Sequence, residues 1–183
     1  MRNESVSFLV DACSLLLERA GTVGLFRKPG SATRMKALRA KLNRSEGCLS
    51  TALPCDVASL VKCFCRELPL PLFPPELREA LVLAQGLPSQ PERTSALQLL
   101  SCLLPTRNAS LLHFLFTFLC QVSQRCAENL MTSGNLAMVF TPCLLVPSDA
   151  SKLTEGQLEL GIDALRTFID DPRIFGTHVV PMD

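Results

Sequence analysis

The sequence predicts an all-α fold, a single-domain helical bundle of seven or eight helices. Apolar residues recur at helical spacing in segment after segment, strand-like alternation is nearly absent, and prolines, glycines and capping residues separate the segments. The chain has 183 residues, 48% of them hydrophobic, which suits one domain with one core. We therefore expect residues 1–183 to form one domain, with 171–183 as a tail.

The predicted helices begin and end at capping or breaking residues. Ser31 is placed to cap the second helix and Asp56 the third, since both side chains accept hydrogen bonds from free N–H groups. Pro75 suits the first position of the fourth helix, and Pro142 is expected to end the helix that begins near Ser133. The segments predicted to be helical are 6–19, 31–43, 56–68, 75–87, 91–104, 110–126, 133–142 and 155–170.

Three segments have a further predicted place in the fold. The sequence LPLPLFPP, 68–75, is expected to be extended or turned, because its prolines forbid a helix. Residues 43–54 are expected to form a connection. The helix over 110–126 is apolar around most of its circumference, so we place it at the centre of the bundle.

Basic residues are concentrated in one part of the chain. The formal net charge of +1 gives no general attraction to nucleic acid or membranes. Between positions 27 and 44, however, all the charged residues are basic. These predict either the solvated face of a surface helix or an anion-facing surface. They are Arg27, Lys28, Arg34, Lys36, Arg39, Lys41 and Arg44.

A second basic pair lies on the third predicted helix. Lys62 and Arg66 are one turn apart, on the face opposite the apolar stripe. Two like charges at this spacing cost a few tenths of a kcal/mol in a free helix. This repulsion is offset if a carboxylate, a phosphate or a carbonyl-rich loop end binds between the two cations.

The cysteines favour a reducing compartment. There are nine, an odd number, and the opening MRNESVSF lacks the apolar region of a secretory signal. We therefore expect reduced thiols and a location in the cytoplasm or the nucleus. Cys63 and Cys65 have a poor chelating spacing, so no metal site is expected. No run of about 18 apolar residues predicts a membrane span.

Three segments together carry a resemblance to a known family. GLFRKPG (24–30) followed by a basic helix, DVASLVKCFCRELPLPLFP (56–74) and NLAMVFTPCLL (135–145) resemble, in order and spacing, the Rho-type GTPase-activating protein (RhoGAP) domain. The resemblance extends from about residue 8 to about residue 169. It implies an all-helical bundle that accelerates GTP hydrolysis by a GTP-bound Rho-family GTPase, with RhoA the first candidate and Rac or Cdc42 the others. GTP and magnesium would belong to that partner, so no cofactor is expected in this chain.

The resemblance also implies roles for individual residues. Arg27 matches the arginine finger that enters the partner's nucleotide site. Lys62 matches a lysine that contacts the GTPase, and Arg66 an arginine that helps to hold the finger loop. Lys28 is expected to be a GTPase-binding residue beside the finger, and Asn135 to support the shape of the site. Catalysis would thus occur in trans, in the partner's active site.

Three positions depart from the family pattern. Cys143 stands where the family usually has an asparagine that contacts the GTPase, and a thiol lacks the donors and the acceptor of an amide. Leu70 replaces an acid and Leu130 a lysine, which we expect to alter packing or surface contacts more than chemistry. The alternative function is therefore a GTPase-binding module with weak or no activity, because Cys143 replaces the asparagine.

Two other function classes receive less support. The basic patch could serve a nucleic-acid or lipid-binding module, but aromatic residues make up only 5% and neither Trp nor Tyr is present. Nucleic acid is therefore not expected as a partner, whereas an anionic membrane surface stays open. Self-contained catalysis lacks a supporting set of residues: His113 lies in an apolar helix and His178 in the expected tail.

Overall fold

The fold is all-α, as the sequence predicts. The computed structural model describes residues 2–44, 47–146 and 154–176, and in these ranges every regular element is helical. The eight longer helices correspond to the eight predicted segments, and α7 is an additional single turn. The α-helices are α1 (Arg2–Glu18), α2 (Ala32–Leu42), α3 (Pro54–Glu67), α4 (Pro75–Gln85), α5 (Gln90–Cys102), α6 (Thr106–Gln124), α7 (Cys126–Asn129), α8 (Ser133–Leu144) and α9 (Glu155–Asp170). Two 3-10 helices cover Leu49–Thr51 and Pro172–Phe175.

The helix ends differ from prediction at two capping residues. Ser31 occupies the N-cap of α2, but its side chain makes no capping hydrogen bond. Asp56 is not the N-cap of α3, because the helix begins at Pro54 and Leu53 occupies the cap. Asp56 instead lies in the first turn, where its carboxylate binds partners outside the helix. A tertiary interaction therefore replaces the local cap at this position.

Proline does not end α8, contrary to prediction. Pro142 lies inside the helix, which continues to Leu144. A proline leaves the carbonyl four residues earlier, at Met138, without its intrahelical donor. Met138 and Pro142 are both exposed, so that carbonyl lies on the solvent side, where water can hydrate it.

Helix α6 runs through the core, as its apolar sequence predicts. It begins at Thr106, a turn earlier than expected, and packs against α1, α8 and α9. Seven of its side chains are buried. They are Leu111, Leu112, Leu115, Phe116, Phe118, Leu119 and Val122. The arrangement places Phe118 where it can support a loop on the surface, as described below.

The C-terminal 3-10 helix packs onto this core. Phe175 stacks on Phe116 with ring centroids 5.6 Å apart, and it lies 4.7 Å from the ring of Phe168. Residues 172–175 therefore belong to the packed fold, although the sequence placed them in a tail. Within the described ranges, none of the helices combines the length and apolarity that a membrane span requires.

Candidate functional site

The loop between α1 and α2 holds Arg27 at its tip. Phe26 is completely buried, with its ring edge-on to Phe118 at 5.8 Å and to Phe140 at 5.1 Å between centroids. Its backbone adopts a left-handed conformation, with φ 69°, which is uncommon for a residue with a large side chain. The next residue, Arg27, is exposed. The chain thus turns sharply from the core into solvent at the residue that the sequence singles out.

Gly24 makes this turn possible. Its φ is 74°, in the left-handed region that glycine adopts at little cost. Its carbonyl accepts hydrogen bonds from the backbone N–H groups of Arg27 and Lys28, both at 2.9 Å. Its own N–H donates to the carbonyl of Asn129 at 2.7 Å. The loop is therefore tightly wound and joined to the end of α7.

Lys62 fixes the loop from the side of α3. Its Nζ donates to the carbonyl oxygen of Phe26 at 2.7 Å. The side chain is half-buried, and burial holds the pKa of Lys62 below its ordinary value of 10.5. A cation therefore lies directly behind the backbone that carries Arg27.

The far end of the loop is attached to the first turns of α3. The N–H of Gly30 donates to Ser59 Oγ at 2.9 Å, and the N–H of Ser31 donates to Asp56 Oδ1 at 2.8 Å. Arg34 holds the same carboxylate through two hydrogen bonds, at 2.6 and 3.2 Å. The hydrogen bond from Arg34 lowers the pKa of Asp56 below its usual value. Gly30 approaches so closely that an added Cβ would lie 2.9 Å from Asp56 Cα.

The corner between α7 and α8 forms the third support of the loop. Asn129 is completely buried, and its Nδ2 donates to the carbonyls of Ala20 at 2.7 Å and Val122 at 2.9 Å. Its Oδ1 accepts the N–H of Met131 at 2.7 Å. All the polar atoms of this side chain are thus used to join α1, α6 and the corner. Its backbone carbonyl accepts the N–H of Gly24 in the loop that carries Arg27.

The Arg27 loop and the α3 residues that hold it lie in segments whose order suggests a family, and comparison with that family decides the assignment. A family model described as the RhoGAP domain matches residues 7–149. The chain belongs to the RhoGAP domain family. The Arg27 loop contains GLFRKPG, α3 contains most of DVASLVKCFCRELPLPLFP, and α8 contains most of NLAMVFTPCLL.

Curated relatives of the RhoGAP family agree with this assignment. The chain is 49% identical over 168 residues to human Rho GTPase-activating protein 11A, covering 90% of this chain and 16% of that protein. It is 42% identical over 129 residues to mouse Rho GTPase-activating protein 18, covering 68% and 20% respectively. The stretch EGCLSTALPCD, 46–56, suggests from sequence alone a likeness to Rho GTPase-activating protein 11, and this is confirmed. The chain thus spans a fifth or less of these two relatives.

Solved structures show the same fold. The crystal structure of the BH domain from Graf, the GTPase regulator associated with focal adhesion kinase, superposes with a TM-score of 0.86 at 26% identity. The match covers 95% of this chain and 96% of that one. Human Rho GTPase activating protein 15 gives a TM-score of 0.83 at 23% identity, covering 92% and 82%, and so supports the fold alone.

Cys143 lies beside the two cations of α3. Its side chain is half-buried on α8, and the distance from its Sγ to the carbonyl of Val139 is 3.7 Å. Burial raises the pKa of Cys143, whereas the charges of Arg66 and Lys62 act in the opposite direction. The structure therefore brings Cys143, Lys62 and Arg66 within electrostatic reach of one another.

Arg66 and Asn135 make contacts that the sequence does not reveal. The guanidinium of Arg66 is exposed and donates from Nη2 to Cys63 Sγ at 3.2 Å. Since this hydrogen bond does not reach the finger loop, the expected hold of Arg66 on that loop stays a prediction. Asn135 is half-buried and donates from Nδ2 to the carbonyl of Leu130 at 3.2 Å. It thereby supports the corner that Asn129 anchors.

Lys28, His113 and His178 are three further residues that the sequence singles out. Lys28 is exposed next to Arg27. His113 is half-buried, and its ring centroid lies 6.4 Å from that of Phe175, away from the finger loop. His178 lies outside the described residues. In the part of the chain that the structure describes, no three His, Cys, Asp or Glu side chains are grouped as metal ligands.

Sequence reasoning missed Asn129 and the tertiary role of Asp56. The carbonyl of Ala20 that Asn129 binds is 109 residues away in the chain, so no local pattern announces the contact. In the structure, Asn129 ends a short helix and Leu130 follows in the left-handed conformation, which is typical of a structured corner.

Proposed function

We propose that this domain accelerates the hydrolysis of GTP bound to a Rho-family small GTPase, with Arg27 as the arginine finger. The observation that carries the proposal is the contrast between Arg27 and its neighbour. Phe26 is fixed in the core and through Lys62, while Arg27 is exposed on the same short loop. A finger needs this combination of a fixed backbone and a free guanidinium.

The chemistry of phosphoryl transfer fits such a residue. Charge spreads over the γ-phosphate oxygens in the transition state, so catalysis depends on positioning and on electrostatic stabilisation. A guanidinium stays charged at working pH and offers a planar fork of donors. Supplied in trans, such a finger is worth roughly 10³- to 10⁵-fold in rate in the Ras example. Gly24 and the contacts of Gly30 fix the conformation of the loop that presents it.

The other site residues have supporting roles in this proposal. Lys62 fixes the carbonyl before the finger, and Lys28 offers a second exposed cation next to Arg27. Arg66 lies one turn along α3 and faces the same side as Cys143. Asn135 keeps the corner of α7 and α8 in place. Together they form a basic surface around the finger.

The partner of this surface is proposed to be a Rho-family GTPase in its GTP-bound state. RhoA is the first candidate, and Rac and Cdc42 are the others. GTP and magnesium would come with the partner, so the domain itself needs no cofactor in this mechanism. The location that suits such a partner is the cytoplasm, with the nucleus as the second expectation from the thiol content.

Cys143 favours a second candidate function. The half-buried thiol faces Lys62 and Arg66 where the RhoGAP family usually has an asparagine. Losing one interfacial hydrogen bond costs about 1–3 kcal/mol if its partner stays buried, or up to roughly a hundredfold in rate. The second candidate is therefore a module that binds a Rho-family GTPase but stimulates it weakly.

The basic face of α2 supports an anionic membrane as an additional contact. Lys36 and Lys41 are exposed, whereas Arg34 and Arg39 are paired with Asp56 and Glu67. Only some of the basic residues of the patch are thus paired with carboxylates of the domain. Exposed cations of this kind are attracted to anionic lipid surfaces, over about a Debye length. We propose no nucleic acid as a partner.

The test is single-turnover hydrolysis of GTP by RhoA, Rac and Cdc42, with the wild-type domain and with Arg27→Ala. We expect strong stimulation of at least one GTPase and a loss of roughly 10³-fold or more in the variant. Binding to the same GTPase loaded with a non-hydrolysable GTP analogue should largely persist. Arg107→Ala, an exposed arginine on α6, is the matched control and should behave as wild type.

The outcomes separate the two candidate functions. Stimulation that is the same with Arg27→Ala would overturn the finger. Binding without stimulation by the folded wild-type domain would favour the weak or inactive module. If the domain neither binds nor stimulates any of the three GTPases, both candidates fail.

A further inference from the structure

Leu130 combines an exposed apolar side chain with an uncommon backbone conformation. It follows α7 with φ 61°, in the left-handed region that a bulky residue rarely adopts. Its side chain is 60% exposed, so it contributes little to the core. Glycine or asparagine would suit this backbone better, and a polar side chain would suit this exposure better. The fold therefore gives no reason for a leucine at this position.

Two further apolar side chains are exposed around this corner. Val23 is 46% exposed and Met138 is 60% exposed. The N–H that follows Val23 donates to the carbonyl that precedes Leu130 at 2.7 Å, so these two residues are neighbours. Asn135 donates to the carbonyl of Leu130, and Met138 follows it one turn along α8. Helical side chains lean toward the N-terminus of their helix, so Met138 leans toward the corner. Val23, Leu130 and Met138 are called the apolar rim below.

The apolar rim adjoins the loop that carries Arg27. The carbonyl of Gly24 accepts the N–H groups of Arg27 and Lys28, both at 2.9 Å. A Cβ added to Gly24 would lie 3.1 to 3.3 Å from three carbons of the Lys28 side chain, so the stem of Lys28 lies over Gly24. The exposed cations and the rim thus belong to one continuous surface. Scattered apolar side chains on a surface need no explanation, but a group of them beside a candidate site is typical of an interaction surface.

We propose that the apolar rim binds the partner GTPase beside its nucleotide site and selects among Rho-family GTPases. This inference rests on the proposed function. Because Arg27 reaches the γ-phosphate, the rim meets the surface of the partner next to the nucleotide. The partner that fits is a Rho-family GTPase with apolar side chains at that point, since contact between two apolar surfaces releases water from both. The rim contributes affinity and selectivity and takes no part in the chemistry.

Leu130 is the residue that selects. The RhoGAP family commonly has a lysine at this position, and a lysine attracts an acidic residue of a partner. A leucine offers no such attraction, and an acid that lost water against it would stay unpaired. It packs well, however, against an apolar residue. The leucine therefore disfavours a GTPase with an acid opposite this position and favours one with an apolar side chain there.

The first experiment separates binding from chemistry. Dissociation constants are measured by titrating the domain onto RhoA, Rac and Cdc42 loaded with a fluorescent, non-hydrolysable GTP analogue. A double variant, Leu130→Gln with Met138→Gln, removes apolar surface without changing charge. It should raise the dissociation constant for the best-bound GTPase about tenfold or more. The rate of GTP hydrolysis at a saturating concentration of the domain should match that of the wild type, which also shows that the double variant is folded.

Leu99→Gln is the matched control. Leu99 is 70% exposed on α5, which packs on α4 and on the C-terminal 3-10 helix, and its replacement should leave the dissociation constant unchanged. A double variant that binds as tightly as the wild type would overturn the proposal, and so would an equal loss of binding in Leu99→Gln. A lower saturating rate with an unchanged dissociation constant would also overturn it, because the rim would then position the finger.

Leu130→Lys tests the selectivity. It introduces the residue that the RhoGAP family commonly carries, so the ratio of the dissociation constants for the weakest-bound and the best-bound GTPase should fall about tenfold. An unchanged ratio would contradict selection by Leu130. If the wild-type domain binds none of the three GTPases, the proposed function fails and the role of the rim fails with it. If the wild type binds and the rim variants bind equally well, the rim alone is refuted.

Discussion

The ammonium of Lys62 lies 2.7 Å from the carbonyl oxygen of Phe26, one residue before Arg27. This contact joins α3 to the finger loop at the point where the chain leaves the core. Lys62 therefore fixes the backbone of the loop, in addition to any contact that it makes with a GTPase.

Replacing Lys62 by methionine should reduce stimulated GTP hydrolysis while the fold persists. Methionine fills a similar space but donates no hydrogen bond to the Phe26 carbonyl. Since hydrogen bonds to charged groups contribute about 1.5–3 kcal/mol, we expect a loss of roughly ten- to a hundredfold. Single-turnover hydrolysis measures it, with Lys36→Met on α2 as the control. A variant as active as wild type would show that the contact does not position the finger.

Gly30→Ala should destabilise the domain and slow hydrolysis. An added Cβ would lie 2.8 Å from Asp56 Oδ1 and 3.0 Å from the Cys55 carbonyl, so the loop has to shift away from α3. We expect the free energy of unfolding to fall by about 1–3 kcal/mol. Gly156→Ala is the matched control, because its Cβ meets no atom within 4 Å and its position is helical. That control should be neutral or slightly stabilising in urea denaturation.

Asn129→Ala should destabilise the domain strongly. The change removes the partner of the Ala20 carbonyl and of the Met131 N–H, while the Val122 carbonyl keeps the N–H of Arg125. Each buried group that is left unsatisfied costs about 1–3 kcal/mol, so we expect a loss of at least about 2 kcal/mol in unfolding free energy. Asn135→Ala, which removes one exposed hydrogen bond, should cost clearly less. Similar losses in the two variants would argue against the central role of Asn129.

Asp56→Asn should remove part of the acid sensitivity of the fold. The folded-state pKa of Asp56 is lowered from 3.8, chiefly by the hydrogen bond from Arg34. The ionised carboxylate therefore stabilises the fold fully above pH 3.8, and this stabilisation is lost as the pH falls through the lower folded value. The variant keeps one acceptor oxygen for Ser31 but loses the charge and the second oxygen, which accepts from Arg34.

Urea denaturation at pH 7 and at pH 3 measures this effect. At pH 7 the free energy of unfolding of the wild type should exceed that of Asp56→Asn by about 1–3 kcal/mol, and this difference should shrink at pH 3. Glu67, Glu128 and Asp171 also have lowered pKa values, so they contribute to the pH dependence of both proteins. The quantity to compare is therefore the difference in unfolding free energy between wild type and Asp56→Asn. A difference that is constant with pH would contradict the assignment.

Cys143→Asn should raise stimulated hydrolysis. An amide at this position supplies two donors and an acceptor next to Lys62 and Arg66, where the thiol offers only a weak donor. We expect a gain of about tenfold, equivalent to roughly 1.4 kcal/mol. Cys102→Asn, on an exposed position of α5, is the control. No change, or a decrease, would mean that Cys143 does not limit the activity.

The sequence predicts the helices well because their periodicity is local. The segment that became α9 was predicted at 155–170 and is observed there, and Pro75 begins α4 as expected. The prediction that Asp56 caps α3 was wrong because its carboxylate can accept hydrogen bonds either from the start of its own helix or from distant residues. It binds Ser31 and Arg34, which are 25 and 22 residues away, and no pattern within one helix can report that choice.

Part of the site is also predictable, because its sequence motifs are local. Arg27 and Lys62 follow from motifs with a fixed spacing, so the resemblance alone points to them. The burial of Asn129 depends on how helices pack. It appears only when the end of α1, α6 and the corner between α7 and α8 are placed in space.

The position of Phe26 has a consequence for the interpretation of natural variants. Its ring is a core residue packed on Phe118 and Phe140, while its carbonyl is part of the site. A conservative change at Phe118 or Phe140 alters the packing of Phe26, so we expect it to displace the backbone that carries Arg27 as well as to lower the free energy of unfolding. A loss of GTPase stimulation in such a variant would then originate in the core and not at the surface.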